Sequence, residues 1–493
     1  MLFNSYQFLV FFPIVCLLYF ILPQKVRWIW LLASSYYFYM CWNPVYLILI
    51  VISTIITYLC AIFVEKAEMN STKRLIIAVS IVLNIGILGY FKYTNFFVDS
   101  INSIFSFLKI NPIGKLDIVL PVGISFYTFQ AIGYTIDVYR NEINAEKNIF
   151  RYALFVSFFP QLVAGPIERS KNLMIQIRNE AHNKVWDYRR ITQGLIMMLW
   201  GLFMKMVISD RIAIIVDHIF DNYEEYHMTG LFVGAVAFAI QIYTDFNGYS
   251  TIAIGAAKVL GFELMENFNT PFFARSIADL WRRWHISMSS WFRDYIYIPL
   301  GGNRKGKLKK YRNLMVTFMV SGLWHGANWT FVFWGAINGF YQVIGDLLKP
   351  IKNKINGVMH TKTESFGYKL MQALITFGLF AFSFIFFRAE TITDGFHYIG
   401  RMIKYRDWWA LFDGSILTYG LEGLDMQILV ISLIILLIVS IVRYKRSLNI
   451  AQYLDRQCLA FRWMVLIILI MFILNFGFYG PQFNSAQFIY FQF

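Results

Sequence analysis

Stretches without a formally charged residue constrain this chain more than any other feature of its sequence. A helix needs about 20 mostly apolar residues to cross the hydrocarbon core of a bilayer. The charge-free runs that reach or approach this length are 1–24, 28–64, 75–91, 118–136, 152–167, 191–204, 313–345, 370–387, 426–442 and 463–493. They predict a polytopic integral membrane protein.

The composition agrees with this class of protein. Hydrophobic residues make up 58% of the 493 residues and charged residues only 15%, whereas soluble domains carry about 25% charged residues. A soluble fold could not cover so much apolar side chain, so the composition excludes a soluble secreted enzyme, a nucleic-acid-binding module and a disordered chain. Basic cytoplasmic loops that face anionic membrane lipid explain the formal net charge of +15.

The lengths and breaks of the runs predict an all-α fold. Run 28–64 is too long for one helix and breaks at Asn43-Pro44, and weaker apolar stretches near 95–110, 228–244 and 250–262 add further helices. We expect about 11 to 13 membrane-embedded helices, several of them too short to cross the bilayer and therefore re-entrant or packed inside the protein.

Basic residues between the first runs predict the orientation. Lys25 and Arg27 follow the first run, the connection at Asn43 is uncharged, and a second basic group follows within 66–74. Because basic loops stay in the cytoplasm, the N-terminus is expected outside, in a multi-pass protein of the inner (cytoplasmic) membrane. The first run has no basic start and no small-residue cleavage site, so it is expected to remain as a span.

The region 245–345 carries the most informative motifs. Six basic side chains lie within 304–312, and no formal charge follows until Asp346, after which basic residues return. Both ends of the charge-free run are therefore expected on one side of the membrane. A break at Gly326-Ala-Asn328 makes the run a helical hairpin with His325 inside the membrane near its tip. Such an ionisable residue indicates a functional site by default; a neutral histidine that helps two helices pack is the alternative.

His285 is the second candidate residue. It ends a Trp-Arg-Arg-Trp-His run in which Arg282 and Arg283 can attract an anionic substrate to an entrance; an interfacial belt of aromatic and basic residues is the alternative. Ser321 is one helical turn before His325, but there is no GxSxG motif for a serine nucleophile. The sequence also has no P-loop, HExxH motif or metal-ligand cluster, so no metal and no bound cofactor are expected.

Short motifs follow one another from about residue 90 to the end of the chain. Trp324-His325-Gly326 is preceded forty positions earlier by His285. The other motifs are Phe91–Phe96, Pro121–Phe126, Phe159–Arg169, Asp245–Ser250, the segment from Trp281 to Gly302, Phe387–Ala389 and the ending Phe488–Phe493. In order and extent they resemble the membrane-bound O-acyltransferase (MBOAT) superfamily, and in particular its bacterial alginate and peptidoglycan O-acetylation branch.

The resemblance implies a helical membrane enzyme with a central tunnel. It implies one acyltransferase domain over 1–493, with a motif-rich core at about 90–390 and C-terminal helices at about 391–493. Acetyl-CoA is the expected acyl donor, used as a substrate from the cytoplasm. A separate extracytoplasmic polysaccharide O-acetyltransferase is the expected partner, and the acetyl group is expected to reach a cell-wall polysaccharide or an exopolysaccharide.

The resemblance also implies roles for individual residues. His325 corresponds to the characteristic histidine of the family and His285 to its second polar position. We expect His325 to act as a catalytic general base, and His285 to orient the donor or polarise its carbonyl group. The residues expected to bind substrate are Trp324, Asn328, Arg282 and Arg283.

Three alternatives remain at the level of the sequence. Teichoic-acid D-alanyl transfer proteins share the fold but take their acyl group from a carrier protein; the chain after Arg388 is more similar to the O-acetylation branch. A non-catalytic polysaccharide or lipid transporter would be expected to carry coupling carboxylates in the membrane, for which only Asp137 and Asp245 are candidates. A structural scaffold that recruits a cell-wall enzyme is the third alternative.

Overall fold

All regular structure in the described part of the chain is helical. The computed structural model describes residues 1–163, 165–179, 186–421, 423–479 and 489. Seven of its helices are long and apolar enough to cross a membrane: Pro44–Lys66, Asn70–Phe107, Tyr188–Asp221, Met228–Leu260, Phe366–Arg388, Gly423–Arg446 and Leu459–Phe476. The prediction of an all-α, multi-pass membrane protein is confirmed. The C-terminal motif Phe488–Phe493 lies outside the described residues except for Ile489.

The helices group into two compact units. The first unit comprises residues 1–198 and 252–265. Its helices are α1 (Tyr6–Ile21), α2 (Gln24–Met40), α3 (Leu47–Lys66), α4 (Asn70–Leu88), α5 (Thr94–Phe107), α6 (Ile124–Tyr139), α7 (Ile149–Ser157), α8 (Phe159–Leu162), α9 (Ile175–Asn179) and most of α10 (Tyr188–Leu202). A π-helical turn at Gly89–Tyr93 joins α4 to α5.

The second unit comprises residues 199–251 and 266–493. Its helices are α11 (Asp210–Asp221), most of α12 (Met228–Leu260), α13 (Ile277–Trp281), α14 (Ile286–Phe292), α15 (Lys307–His325), α16 (Trp329–Val358), α17 (Phe366–Arg388), α18 (Ile392–Lys404), α19 (Gly423–Arg446), α20 (Ile450–Asp455) and α21 (Leu459–Phe476). The single acyltransferase domain expected from the sequence stays a prediction, because compact packing units need not be separate domains.

The break predicted in run 28–64 is present. Helix α2 ends at Met40 and α3 begins at Leu47, with a short 3₁₀ turn that starts at Pro44 between them. The Asn43 side chain accepts a hydrogen bond from the backbone N–H of Val45 at 3.0 Å. Proline has no N–H to continue a helix and asparagine caps the next turn, so these two residues separate the helices.

Helix α12 differs from the sequence expectation. The stretches 228–244 and 250–262 were expected as separate pieces around the Asp245–Ser250 motif, but one helix of 33 residues runs through the motif. The Nζ atom of Lys205 lies 2.6 Å from Asp245 and 2.9 Å from Asp210, and all three side chains are at most 2% exposed. Paired charges can stay inside a membrane helix, so a charge at the end of an apolar run does not end the helix.

Helices α15 and α16 form the predicted hairpin. Helix α15 ends at His325, and α16 starts after Asn328, whose side chain accepts a hydrogen bond from the N–H of Thr330 at 3.1 Å. The two backbones meet at glycines: a Cβ atom at position 322 would overlap the carbonyl oxygen of Phe331, and one at position 335 would overlap that of Phe318. Neither leg of the hairpin is among the seven candidate spans.

The close contact at Gly335 gives a first prediction. Gly335→Ala should lower the melting temperature of the detergent-solubilised protein by several degrees, because the added methyl group forces α15 and α16 apart at a cost of about 1–3 kcal/mol. Gly345→Ala on the same helix is the control, since a Cβ there has no atom within 4 Å, and alanine favours a helix over glycine. The melting temperatures are compared by tryptophan fluorescence. Equal losses in both variants would contradict the packing argument.

Candidate active site

His325 is the last residue of α15 and lies directly before the turn of the hairpin. It is 5% exposed and aromatic rings enclose it. The distances from its ring centroid to those of Trp324, Trp334 and Phe387 are 5.0, 5.2 and 5.6 Å. This enclosure keeps bulk water from the imidazole, and electrostatic interactions are stronger in such an environment.

His285 precedes α14 in a backbone conformation that few residues adopt. Its φ of 42° and ψ of 55° lie in the left-handed region, which costs a residue with a Cβ atom about 1–2 kcal/mol. The residue is fully buried, and its ring meets the ring of Phe246 edge-on at a centroid distance of 4.6 Å. Backbone strain of this kind persists only where the surroundings hold it, and it clusters at functional sites.

The structure brings the two histidines together within the second unit. Their ring centroids are 6.3 Å apart, and the Trp324 ring packs against both, at 5.9 Å from His285 and 5.0 Å from His325. His285 belongs to none of the seven candidate spans. Burial lowers the pKa of His285 to about 3, so this imidazole is neutral at physiological pH and carries one N–H donor and one nitrogen acceptor for hydrogen bonds.

Trp324 and Asn328, the two residues near the turn of the hairpin that were expected to bind substrate, have different surroundings. Trp324 is buried, and its ring lies beside both histidines. Asn328 is half-buried and uses its side chain as the cap of α16, while its Nδ2 atom donates to the carbonyl oxygen of Glu390 at 3.1 Å. The hydrogen bonds give Asn328 a structural role at the turn of the hairpin. Its expected contribution to substrate binding stays a prediction.

The two predicted arginines also differ. Arg282 is exposed. Arg283 is half-buried: its Nε atom lies 3.0 Å from Asp279, its Nη1 atom donates to the Thr270 hydroxyl at 3.4 Å, and its guanidinium stands over the Tyr444 ring. Arg283 is thus held by neighbours on its own unit, and Arg282 is the arginine available to a ligand.

Three aromatic residues of the site were not assigned a role from the sequence. Trp334 and Phe387 contact His325, and Phe246 contacts His285. Phe246 and Phe387 belong to motifs that the sequence analysis quoted without a function for these rings. Trp334 lies on the helix that faces α15, and only the pairing of the two helices reveals its contact.

Side chains of this kind are chemically able to support proton transfer in an apolar enclosure. Neutral imidazoles can take a proton from a hydroxyl group and return it later. In the ranges that the structure describes, no three histidine, cysteine, aspartate or glutamate side chains are grouped so that they could hold a metal ion.

Fold and site together define a multi-pass membrane protein with two buried histidines in an aromatic enclosure. The sequence model described as MBOAT, membrane-bound O-acyltransferase family, matches residues 140–387, a range that contains both histidines. The chain belongs to the membrane-bound O-acyltransferase family, and it is an acyltransferase. This assignment sets aside the non-catalytic transporter and the scaffold.

Curated relatives cover most of the chain. A probable alginate O-acetylase AlgI of Pseudomonas syringae pv. tomato is 37% identical over 436 residues, which are 88% of this chain and 80% of the relative. The peptidoglycan O-acetyltransferase of Helicobacter pylori is 35% identical over 82% of this chain and 80% of its own length. A teichoic acid D-alanyltransferase of Streptococcus thermophilus is 27% identical over 54% of this chain and 68% of its own length. The first two matches support the O-acetylation branch, because they are more identical to this chain and cover more of it than the third.

The buried, neutral state of His285 gives a second prediction. The unfolded chain binds a proton at this imidazole below its ordinary pKa of about 6.5, whereas the folded protein does so only near pH 3. The stability that neutral His285 contributes is therefore complete above pH 6.5 and is lost as the pH falls toward 3, by about 1.4 kcal/mol per pH unit. The melting temperature of the wild type should fall more steeply from pH 7 to pH 5 than that of His285→Asn.

Asparagine suits this test because it tolerates the left-handed backbone. His397→Asn, which changes an exposed histidine on α18, is the control and should keep the slope of the wild type. Parallel curves for the wild type and His285→Asn would show that His285 does not titrate on unfolding.

Proposed function

We propose that this chain takes an acetyl group from acetyl-CoA at the cytoplasmic side of the inner membrane and delivers it across the membrane for O-acetylation of a cell-wall polysaccharide or exopolysaccharide. The observation that carries the proposal is the meeting of His285 and His325 at 6.3 Å inside an aromatic enclosure. The names of its relatives, an alginate O-acetylase and a peptidoglycan O-acetyltransferase, support the acetyl group and the polysaccharide.

The proposed reaction assigns the proton transfers to His325. The imidazole of His325 takes the proton of the acceptor hydroxyl while the hydroxyl oxygen attacks the thioester carbonyl carbon. The tetrahedral intermediate then expels the thiolate of coenzyme A, which receives the proton, and the acetyl ester remains on the acceptor. General base catalysis of this kind contributes about 100- to 10,000-fold in rate.

His285 is proposed to act on the donor. A centroid distance of 6.3 Å between the imidazoles is short enough for one oxygen atom to form hydrogen bonds of about 2.8 Å with both rings. The N–H of the neutral His285 imidazole would donate a hydrogen bond to the oxyanion that develops from the thioester carbonyl and so stabilise it. Trp324 packs against both imidazoles and is proposed to form the wall between donor and acceptor.

The direction of transfer is part of the proposal. The basic residues at the start of α2 and around the start of α4 support a cytoplasmic position for these helix ends and an external N-terminus. The proposed acceptor is a separate extracytoplasmic polysaccharide O-acetyltransferase, or the polysaccharide itself, which receives the acetyl group at the far end of the tunnel. Membrane lipid surrounds the spans.

His325→Ala is the central test of this proposal. Proteoliposomes that contain the wild type should transfer labelled acetyl groups from acetyl-CoA to extracted wall polymer or to a purified candidate partner, and His325→Ala should lower the rate about 100-fold or more because the base is lost. His397→Ala, which changes an exposed histidine, is the control and should keep the rate of the wild type.

Other outcomes contradict particular parts of the proposal. Equal rates in the wild type and His325→Ala would make His325 a packing residue. Transfer from a D-alanylated carrier protein, with none from acetyl-CoA, would assign the chain to D-alanylation. The amounts of folded protein are matched by size-exclusion chromatography before the rates are compared.

Arg282 gives a separate prediction about the donor. Arg282→Ala should raise the KM for acetyl-CoA about 10- to 150-fold and leave kcat nearly unchanged, because an exposed guanidinium that binds a donor phosphate contributes about 1.5–3 kcal/mol. Arg275→Ala removes another exposed arginine seven positions earlier and controls for the loss of one positive charge. The same KM in both variants would remove Arg282 from the donor site.

A further inference from the structure

A short segment after α12 runs beside the residues that precede α14. The backbone N–H of Ile286 donates to the carbonyl oxygen of Asn267 at 2.9 Å, and the N–H of Asn269 donates to that of Arg283 at 2.9 Å. These two bonds flank His285 in the sequence. Its backbone is therefore attached on both sides to the segment that begins at Asn267.

The side chain of Asn267 adds a second set of bonds. Its Oδ1 atom accepts from the Ser287 hydroxyl at 2.6 Å and from the Ser287 N–H at 3.4 Å, and its Nδ2 atom donates to the Ser250 hydroxyl at 3.0 Å. All three residues are at most 1% exposed. Water does not compete at this depth, and losing one partner leaves a buried polar group unsatisfied.

Helix α12 thereby supports His285 in two ways. Ser250 lies one helical turn after Phe246, so both residues are on the same face of α12. The Phe246 ring contacts the imidazole directly, and Ser250 reaches the first turn of α14 through Asn267. Ring and backbone of His285 are thus held from one helix.

This support has a physical reason in the backbone of His285. The left-handed conformation at φ 42° is unfavourable for a histidine, and it persists only when the surroundings determine it. Without the Asn267 side chain, the residues around His285 can return to more common backbone angles, which moves the imidazole away from His325. A misplacement of about 1 Å in a catalytic group can cost about 100-fold in rate.

We propose that Asn267 is a positioning residue that holds His285 in its left-handed conformation through Ser287, with Ser250 as the anchor on α12. The effect on rate rests on the function proposed above, whereas the effect on the imidazole does not. The two parts can therefore be measured separately.

The first measurement follows the imidazole itself and needs no enzyme activity. Purified wild type and variants are treated with diethyl pyrocarbonate, and the rate at which His285 is modified is followed by mass spectrometry. His285 is fully buried in the wild type, so it should react slowly. Asn267→Ala and Ser287→Ala should raise its rate about fivefold or more, because local opening exposes the ring. Ser250→Ala, which removes only the distant anchor, should give a smaller rise.

The chain offers a matched control for a lost buried Asn–Ser bond. Asn84 in the first unit is 1% exposed, and its Oδ1 atom accepts from the Ser53 hydroxyl at 2.6 Å, the same distance as in the Asn267–Ser287 pair. Asn84→Ala and Asn267→Ala should lower the melting temperature by similar amounts. Asn84→Ala should leave the modification rate of His285 and the kcat for acetyl transfer unchanged.

The second measurement is the kinetics of acetyl transfer. Asn267→Ala should lower kcat about 10- to 100-fold, with the KM for acetyl-CoA changed less than about threefold, because His285 is displaced rather than the donor site lost. Asn267→Ala combined with Ser287→Ala should be no slower than the slower single variant, because both remove the same bond.

The outcomes distinguish this proposal from the proposed function. An unchanged modification rate of His285 in Asn267→Ala would overturn the positioning role. An unchanged kcat in a variant whose His285 reacts faster would support the positioning role and reject the part proposed for His285 in acetyl transfer. Losses of kcat as large in Asn84→Ala would also overturn the positioning role. Faster modification with no acetyl transfer by the wild type would support the positioning of His285 and reject the function proposed for the chain.

Discussion

The contact between the backbones of α15 and α16 is the constraint on which the candidate site depends. Gly322 and Gly335 lie where a side chain on either helix would overlap the other helix. The two helices therefore meet at one register, and that register sets where the end of α15 lies against α16. His325 occupies this end, and Trp334 on the facing helix reaches its ring. Two residues without side chains thus determine the surroundings of the residue proposed to carry the chemistry.

His285 is held in place by hydrogen bonds and one aromatic contact, whereas His325 is held by the packing of two helices. It lies between two very short helices, α13 and α14, that have too few residues to be rigid alone. Its position comes from hydrogen bonds to the segment at Asn267 and from the ring of Phe246. One histidine is held by helix packing and the other by a buried polar network. Such a site can keep two imidazoles at a set distance although they belong to separate parts of the chain.

The sequence predicted those features that depend on one stretch of chain. The charge-free runs predicted the all-α membrane fold, and Asn43-Pro44 predicted the break between α2 and α3. The prediction was wrong around Asp245, because counting charges one by one ignores that a lysine from another helix can neutralise a carboxylate. The sequence itself indicated each histidine as a candidate, His325 from its place in a charge-free run and His285 from its Trp-Arg-Arg-Trp-His run. Only the family resemblance connected the two. The aromatic enclosure was not predicted, since ring contacts such as that of Trp334 arise from tertiary packing.

The buried Lys205 cluster also has a consequence for how this protein enters the membrane. Lys205 and Asp210 belong to the candidate span Tyr188–Asp221, and Asp245 belongs to Met228–Leu260. A single charged residue within a membrane helix costs about 2.5–3.5 kcal/mol on insertion. The span Met228–Leu260 alone in lipid carries this cost at Asp245, and pairing with Lys205 of the other span removes much of it. Insertion of the later helix is therefore less costly when the earlier one already lies beside it.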